Sequence, residues 1–372
     1  MVKTSLMRMI KFIVYLSLLS QLIGCNSIYT NRVPESSGII DSDNPNIQYI
    51  GRFDHSDPKN VQFDWPGVYI SAIFEGSSCS IRLSDSTNEY SVVIDQNAPR
   101  LLKADTSKIY LIAKGLIDSI PHKIVIQKRT EAFVGRGGFQ GFILDKGRKL
   151  KEPENRPARR IEFIGNSITC GYGVEGDSAN CQFSVETENA NMSYASMTAR
   201  ALSADYALIA YSGKGVVRNY GDSNKTSIDP MPHLYDRTCF SDSLKLCNYS
   251  KWIPQVVVVN LGTNDFSTKP FPDKANFQQA YRRLLNHIRE VYTGVTIFCI
   301  CGPMIEEPCM SYIKEIVQQE KSKSRDRDVF FVGIKRDSLT DADWGCDYHP
   351  NVYGMVKISN ILVSEIKMRM NW

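Results

Sequence analysis

From Ile47 to Leu144 apolar residues tend to fall on alternate positions: Val68, Ile70, Ala72 and Phe74; Ile81 and Leu83; Tyr90, Val92 and Ile94; Ile124 and Ile126. A period of two puts successive side chains on opposite faces, so these runs predict strands with one face in a core. Turn-forming triplets, Gly76-Ser77-Ser78, Asn97-Ala98-Pro99 and Ser119-Ile120-Pro121, punctuate them at the spacing of an all-β sandwich. The glycines Gly135, Gly137, Gly138 and Gly141 do not have the GxGxxG spacing and no helical pattern follows, which predicts a turn between strands rather than a dinucleotide loop.

Past a basic stretch, Lys146 to Arg160, the rhythm changes. Five short apolar runs follow, Ile161–Ile164, Tyr206–Tyr211, Val256–Asn260, Val295–Ile300 and Val329–Val332, separated by helix-spaced segments such as Phe277–Val291 and Tyr353–Met370. Uninterrupted runs suit strands buried on both faces, so the second half predicts an α/β domain, a three-layer α/β/α sandwich on a five-stranded parallel sheet. Pro153 and Pro157 mark the basic stretch as a solvated linker. The expected division is 1–24 a signal peptide, 25–45 a tether, 46–145 the β-sandwich, 146–158 the linker and 159–372 the α/β domain.

The first 24 residues stand apart. Lys3, Arg8 and Lys11 precede an apolar run from Phe12 to Leu19, which ends in Leu22-Ile23-Gly24-Cys25. The run is too short to span a bilayer, and its close resembles the lipobox of bacterial lipoproteins, implying export and lipidation of Cys25 at the cell envelope. Setting aside those three bases takes the formal charge from +4 to +1. With lysines and arginines spread among nearly as many carboxylates, no basic face remains for nucleic acid. Nine cysteines follow Cys25. An oxidising compartment allows pairs such as Cys239 with Cys247 or Cys170 with Cys181, while the odd number leaves a thiol over. Cys299, Cys301 and Cys309 have neither a CxxC nor a nearby histidine, so no zinc site is expected.

In a parallel sheet, ligands bind beyond the carboxyl ends of the strands, and that is where the chemistry-bearing residues fall. Ile161–Ile164 runs into Gly165-Asn166-Ser167-Ile168-Thr169, Tyr206–Tyr211 into Ser212-Gly213-Lys214-Gly215, and Val256–Asn260 into Leu261-Gly262-Thr263-Asn264-Asp265; Asp347-Tyr348-His349-Pro350 comes near the end. Acyl transfer needs a nucleophile, a base and donors where the oxyanion develops, and these blocks hold all three. GxSxG and HExxH are absent from the chain, which argues against an α/β-hydrolase lipase and a metallohydrolase. No cofactor is called for.

Together the four blocks resemble the SGNH (GDSL-type) hydrolases. The resemblance implies Ser167 as nucleophile, His349 as base, and the Ser167 N–H, Gly213 N–H and Asn264 side chain as oxyanion donors. Arg160 to Gly173, Tyr211 to Gly215 with Arg218-Asn219-Tyr220, and Asp347 to Pro350 are more narrowly similar to the family 2 carbohydrate esterases, which join a β-sandwich to an SGNH domain and deacetylate plant polysaccharides. That implies an acetylesterase acting on acetylated xylan or mannan, with Tyr348 and Trp344 as candidate substrate contacts. Alternatives are an SGNH lipase or thioesterase, or a catalytically silent surface carbohydrate-binding lipoprotein. The chain departs from the usual pattern in one important place. The position three before His349, usually aspartate, is Cys346, and the carboxylate Asp347 lies two before. Either the Asp347 carboxylate or a backbone carbonyl could orient the base, and the carboxylate is the favoured reading.

Overall fold

The computed structural model describes residues 37–323 and 328–372; the expected signal peptide and Cys25 lie outside them. The first strands are β1 (Ser37–Asp41), β2 (Gln48–Ile50), β3 (Val61–Phe63), β4 (Tyr69–Phe74), β5 (Cys79–Leu83), β6 (Glu89–Ile94), β7 (Arg100–Lys103), β8 (Ile109–Ala113), β9 (His122–Lys128), β10 (Gly137–Asp145) and β11 (Leu150–Lys151). They form two antiparallel sheets, β1-β10-β5-β8 with β3 on β10, and β11-β4-β9-β6-β7 with β2 on β4. The alternating apolar positions fill the space between them. Phe63 and Leu83 from the first sheet meet Ile70, Tyr90 and Ile126 from the second, all buried.

Two expectations are corrected here. The sheets reach beyond residues 46–145, because β1 pairs with β10 (Ile39 opposite Ile143) and β11 pairs with β4 (Leu150 opposite Phe74). Each is too short to show a period. The glycine cluster is mostly strand rather than turn: Gly137, Gly138 and Gly141 lie within β10. A Cβ on Gly137 would sit 2.8 Å from the Phe63 ring, and Gly141, at φ +116°, is where the register shifts against β5. Small size is needed there for close backbone approach and a bulge.

The second half adds β12 (Arg159–Gly165), α1 (Ser167–Cys170), α2 (Tyr194–Ala201), β13 (Ala204–Ala210), β14 (Val256–Val259), α3 (Lys274–Val291), β15 (Thr296–Cys301), α4 (Cys309–Lys323), β16 (Val329–Gly333) and α5 (Val352–Met370). The sheet is parallel, in the order β13-β12-β14-β15-β16. Ile161, Phe163, Val256, Val258, Phe298 and Ile300 belong to one core with Tyr194 and Ala199 of α2 and Met355, Ile358 and Leu362 of α5. On α3 the buried stripe is Phe277, Tyr281, Leu284, Leu285 and Ile288, which recur turn by turn along one face with Leu284 and Leu285 side by side. Asn351 caps α5 by accepting from the Tyr353 and Gly354 N–H groups, which fixes the start of the helix just after His349.

The two halves are welded by buried polar contacts. Arg52, between β2 and β3, reaches Glu162 of β12 at 3.3 Å and also donates to the carbonyls of Arg237 and Tyr235. Glu162 accepts from the hydroxyls of Tyr235 (2.6 Å) and Tyr292 (3.1 Å). The Asp64 carboxylate takes the Phe240 and Ser241 N–H groups, and the Tyr69 hydroxyl donates to Asp205. Removing one partner of a buried ion pair strands the other in a low-dielectric interior. Arg52→Met is therefore expected to lower unfolding free energy by about 3–5 kcal/mol in denaturant titration; a loss under about 1 kcal/mol would show that the pair is solvated in solution.

Candidate active site

The candidate site lies at the carboxyl ends of the parallel strands. β12 ends at Gly165, and Asn166 turns the chain into α1 by accepting from the Ile168 N–H, so Ser167 begins a buried helical turn. A Cβ on Gly165 would lie 2.0 Å from the Thr169 hydroxyl, so the turn closes only over glycine. From the loop before α5, the His349 ring comes over this turn, with Nε2 2.8 Å from Ser167 Oγ. Both residues are about 8% exposed. Burial pushes the imidazole down to about 4, with the adjacent Asp347 opposing the shift, so the ring is neutral near pH 7 and Nε2 is free to accept the serine proton.

The favoured reading of Asp347 is not what the geometry shows. His349 Nδ1 bonds the main-chain oxygen of Asp347 at 3.1 Å. The Asp347 carboxylate faces away, accepting from the Tyr172 hydroxyl (2.8 Å) and the Phe183 N–H (3.0 Å). The cause is local: Asp347 and Tyr348 both have left-handed backbone, φ 51° and 56°. That turn swings the carbonyl of Asp347, rather than its side chain, under the imidazole.

The other candidate residues divide. Gly213 has φ +79° in the loop that leaves β13 through Tyr211 and Ser212, and the Asn264 Nδ2 donates to the Lys214 carbonyl at 2.8 Å, keeping its second N–H. The loop between them is held from below by Asp265, whose buried carboxylate accepts from the Val216, Val217 and Arg218 N–H groups. Tyr348 is half exposed, with its hydroxyl on Asn180. Trp344 is corrected: it is buried in the core with α5, and the Arg336 guanidinium lies over its ring at 4.9 Å. Its backbone bridges Pro350, which holds it in the fold rather than on a substrate surface.

The disulfide is also not one of the expected pairs. Cys181 joins Cys346, while Cys170, Cys239 and Cys247 are free thiols. The bond staples the loop after Tyr172 to the turn carrying His349, and main-chain bonds run beside it, Asp347 N–H to the Cys181 carbonyl and Tyr348 N–H to that of Ala179. Tyr172, in the Arg160 to Gly173 segment, is a site residue that nothing in its own neighbourhood signals. Its ring lies 4.4 Å from that of His349 and 4.3 Å from that of Phe183. Phe133, from the sandwich, touches Phe183 and Tyr211, so an aromatic wall runs beside the serine.

Family models match both halves: carbohydrate esterase 2 N-terminal over residues 49–153, and the GDSL-like lipase/acylhydrolase family over residues 163–357. A family two carbohydrate esterase from Clostridium thermocellum, solved with cellohexaose, superposes with a TM-score of 0.81 at 36% identity, over 88% of this chain and 99% of that one. This chain belongs to the family 2 carbohydrate esterases. It is 39% identical to the cellulase/esterase CelE of Acetivibrio thermocellus, over 91% of its own length and 41% of that protein's. It is 27% identical to an acetylxylan esterase/glucomannan deacetylase of Cellvibrio japonicus, over 84% and 87% of the two chains.

Since a main-chain oxygen, and not the carboxylate, meets the His349 imidazole, Asp347→Asn should leave turnover on an aryl acetate within about tenfold of the parent, asparagine also tolerating left-handed backbone. A loss of several orders of magnitude would restore the carboxylate to the imidazole. The Cys181→Ser/Cys346→Ser double variant should lose about 2–4 kcal/mol of stability, since the bond closes a loop of well over a hundred residues. An unchanged denaturation midpoint in a scan without reductant would show that the thiols are not joined in solution.

Proposed function

We propose that this esterase removes O-acetyl groups from a plant-type polysaccharide, xylan or mannan, through an acetyl-enzyme on Ser167, and that it does so outside the cytoplasm, anchored by lipid on Cys25. The observation that carries the chemistry is the Ser167 Oγ to His349 Nε2 hydrogen bond, with Nδ1 held from the other side. As Oγ attacks the acetyl carbonyl, Nε2 takes its proton, and the charge on the former carbonyl oxygen is met by the Ser167 and Gly213 N–H groups and the Asn264 amide. The tetrahedral intermediate expels the sugar oxygen, which leaves with the proton from Nε2. Water, deprotonated by the same nitrogen, then attacks the acetyl-enzyme and releases acetate and Ser167.

The polysaccharide reading draws on the aromatic wall of Phe133, Phe183, Tyr172 and Tyr211, whose rings offer apolar faces to pyranose rings. The relatives named as acetylxylan esterase/glucomannan deacetylase support the same substrate class. The anchor rests on the Leu22-Ile23-Gly24-Cys25 sequence alone.

The test is acetate release from acetylated xylan, glucomannan and pectin. Turnover on xylan or glucomannan is expected, falling by about a thousandfold or more in Ser167→Ala with the fold intact. Asn264→Ala should fall about a hundred to a thousandfold in kcat with KM little changed. No hydrolysis of any acetate would favour a carbohydrate-binding role, and preference for long-chain esters would favour a lipase.

A further inference from the structure

Beneath the loop bearing Gly213 lies a pair of buried carboxyls that the reaction above does not use. Glu131 follows β9 and belongs to the sandwich; Glu188 belongs to the catalytic half, between α1 and α2. Both are fully buried. Glu131 Oε2 accepts from the Ser212 N–H at 2.6 Å and from the Cys170 thiol at 3.6 Å, while Oε1 takes the Ser212 hydroxyl. Glu188 Oε2 accepts from the Glu131 main-chain N–H at 3.1 Å, which brings the two buried carboxyls together. Neighbouring buried carboxyls do not both stay ionised, and Glu131, which already accepts from three donors, is the member that keeps its charge. Burial raises both carboxyls, and burial together with the charge of Glu131 raises Glu188 well above the ordinary range.

Lys128 acts on the pair through space rather than by a direct bond. Lys128, also buried and pushed down to about 8 by burial, points its Nζ at the carbonyls of Thr130 (2.6 Å) and Glu131 (3.1 Å). Arg129 faces Glu89 and Glu175. The segment carrying Glu188 is itself tied on both sides, Asn189 N–H to the Gly171 carbonyl and Ala190 N–H to that of Arg129.

Ser212 immediately precedes Gly213, and Cys170 ends the turn begun by Ser167. One carboxylate thus touches the supports of two of the three oxyanion donors. We propose that Glu131, supplied by the N-terminal sandwich, is a positioning residue for the oxyanion hole, fixing the Ser212–Gly213 turn against the Ser167 turn while Glu188 fixes Glu131. With the Ser212 N–H and hydroxyl both pinned, one backbone rotation, ψ of Ser212, remains to aim the Gly213 N–H, and a donor displaced by about 1 Å can cost up to a hundredfold in rate. The inference rests on the esterase reading above.

The test compares full-length Glu131→Gln, Ser212→Ala, their double variant and Glu188→Gln with the parent and Ser167→Ala, reading kcat and KM on an aryl acetate and thermal midpoint. Glu131→Gln and Ser212→Ala should each lower kcat about tenfold with KM within about twofold, because an oxyanion donor acts in the transition state. The double variant should fall no further than the worse single, since both changes break the same link. Glu188→Gln should stay within about threefold of the parent, because the amide oxygen still accepts the Glu131 main-chain N–H. Full turnover in Glu131→Gln, or losses that multiply in the double variant, overturns the inference. If Glu131→Gln does not fold, Ser212→Ala decides: lowered kcat at unchanged KM supports the positioning role, and unchanged kcat sinks it. A parent without acetate hydrolysis, or an active Ser167→Ala, strikes the esterase reading instead.

Discussion

The hydrogen bond between His349 Nδ1 and the main-chain oxygen of Asp347 sets what the rest of the site can do. A backbone carbonyl accepts and cannot donate, so the ring proton sits on Nδ1 and the Nε2 lone pair is left facing Ser167. To place that carbonyl, Asp347 and Tyr348 take left-handed backbone, a strain of roughly 1–2 kcal/mol per residue. Much of the surrounding structure is arranged to offset it. The Cys181–Cys346 disulfide, the N–H bonds to Cys181 and Ala179, and the carboxylate of Asp347 on Tyr172 and Phe183 all hold the same turn. The carboxylate thus serves the base at one remove, by stabilising the backbone that orients it.

A carbonyl dipole stabilises an imidazolium less than a full negative charge does. That difference bears on His349, whose burial already disfavours the charged ring. A base of this kind is neutral over a wide range of pH and gives its proton back readily, which suits a leaving group that is a sugar alkoxide. In the proposed mechanism the greater demand then falls on the oxyanion donors, because less of the transition-state charge separation is met on the imidazole side. The order seen around Gly213 and Asn264 fits that demand. Asp265 collects three consecutive N–H groups under the loop, and Asn264 is tied to the Lys214 carbonyl.

The sequence was most legible where one element decides its own fate. Strands of the parallel sheet were readable as unbroken apolar runs, and the Ser167, Gly213, Asn264 and His349 blocks as strand-end loops, because burial on both faces and a tight turn each leave a local signature. Features that depend on a distant partner were not readable. Cys346 finds Cys181 across 165 residues, and nothing in either neighbourhood favours that pair over nearer ones. Trp344 looked available beside the histidine, yet the bridge to Pro350 places it in the core. Gly137, Gly138 and Gly141 resembled a turn because their reason for being small lies in Phe63, Asn60 and Ile40 on neighbouring segments. Glu131, between a strand and a glycine cluster, gave no sign that its carboxylate belongs to the other half of the molecule.

The character of the contact between the halves follows from what it must hold still. Apolar surfaces are non-directional and tolerate small slips, because burying the same area in a slightly shifted register changes the free energy little. Buried charges are different: Glu162 needs Arg52 and two tyrosine hydroxyls, Asp64 needs two N–H groups, and Glu131 needs Ser212, each within about 3 Å. A slip of 1 Å would leave several of these unsatisfied at roughly 1–3 kcal/mol apiece, and more where the group is charged. The orientation of the sandwich on the parallel sheet is therefore steeply defined. Because Glu131 lies in that interface and touches Ser212, the steepness is passed to the loop that carries Gly213, and the geometry around the serine depends on how the two halves are joined.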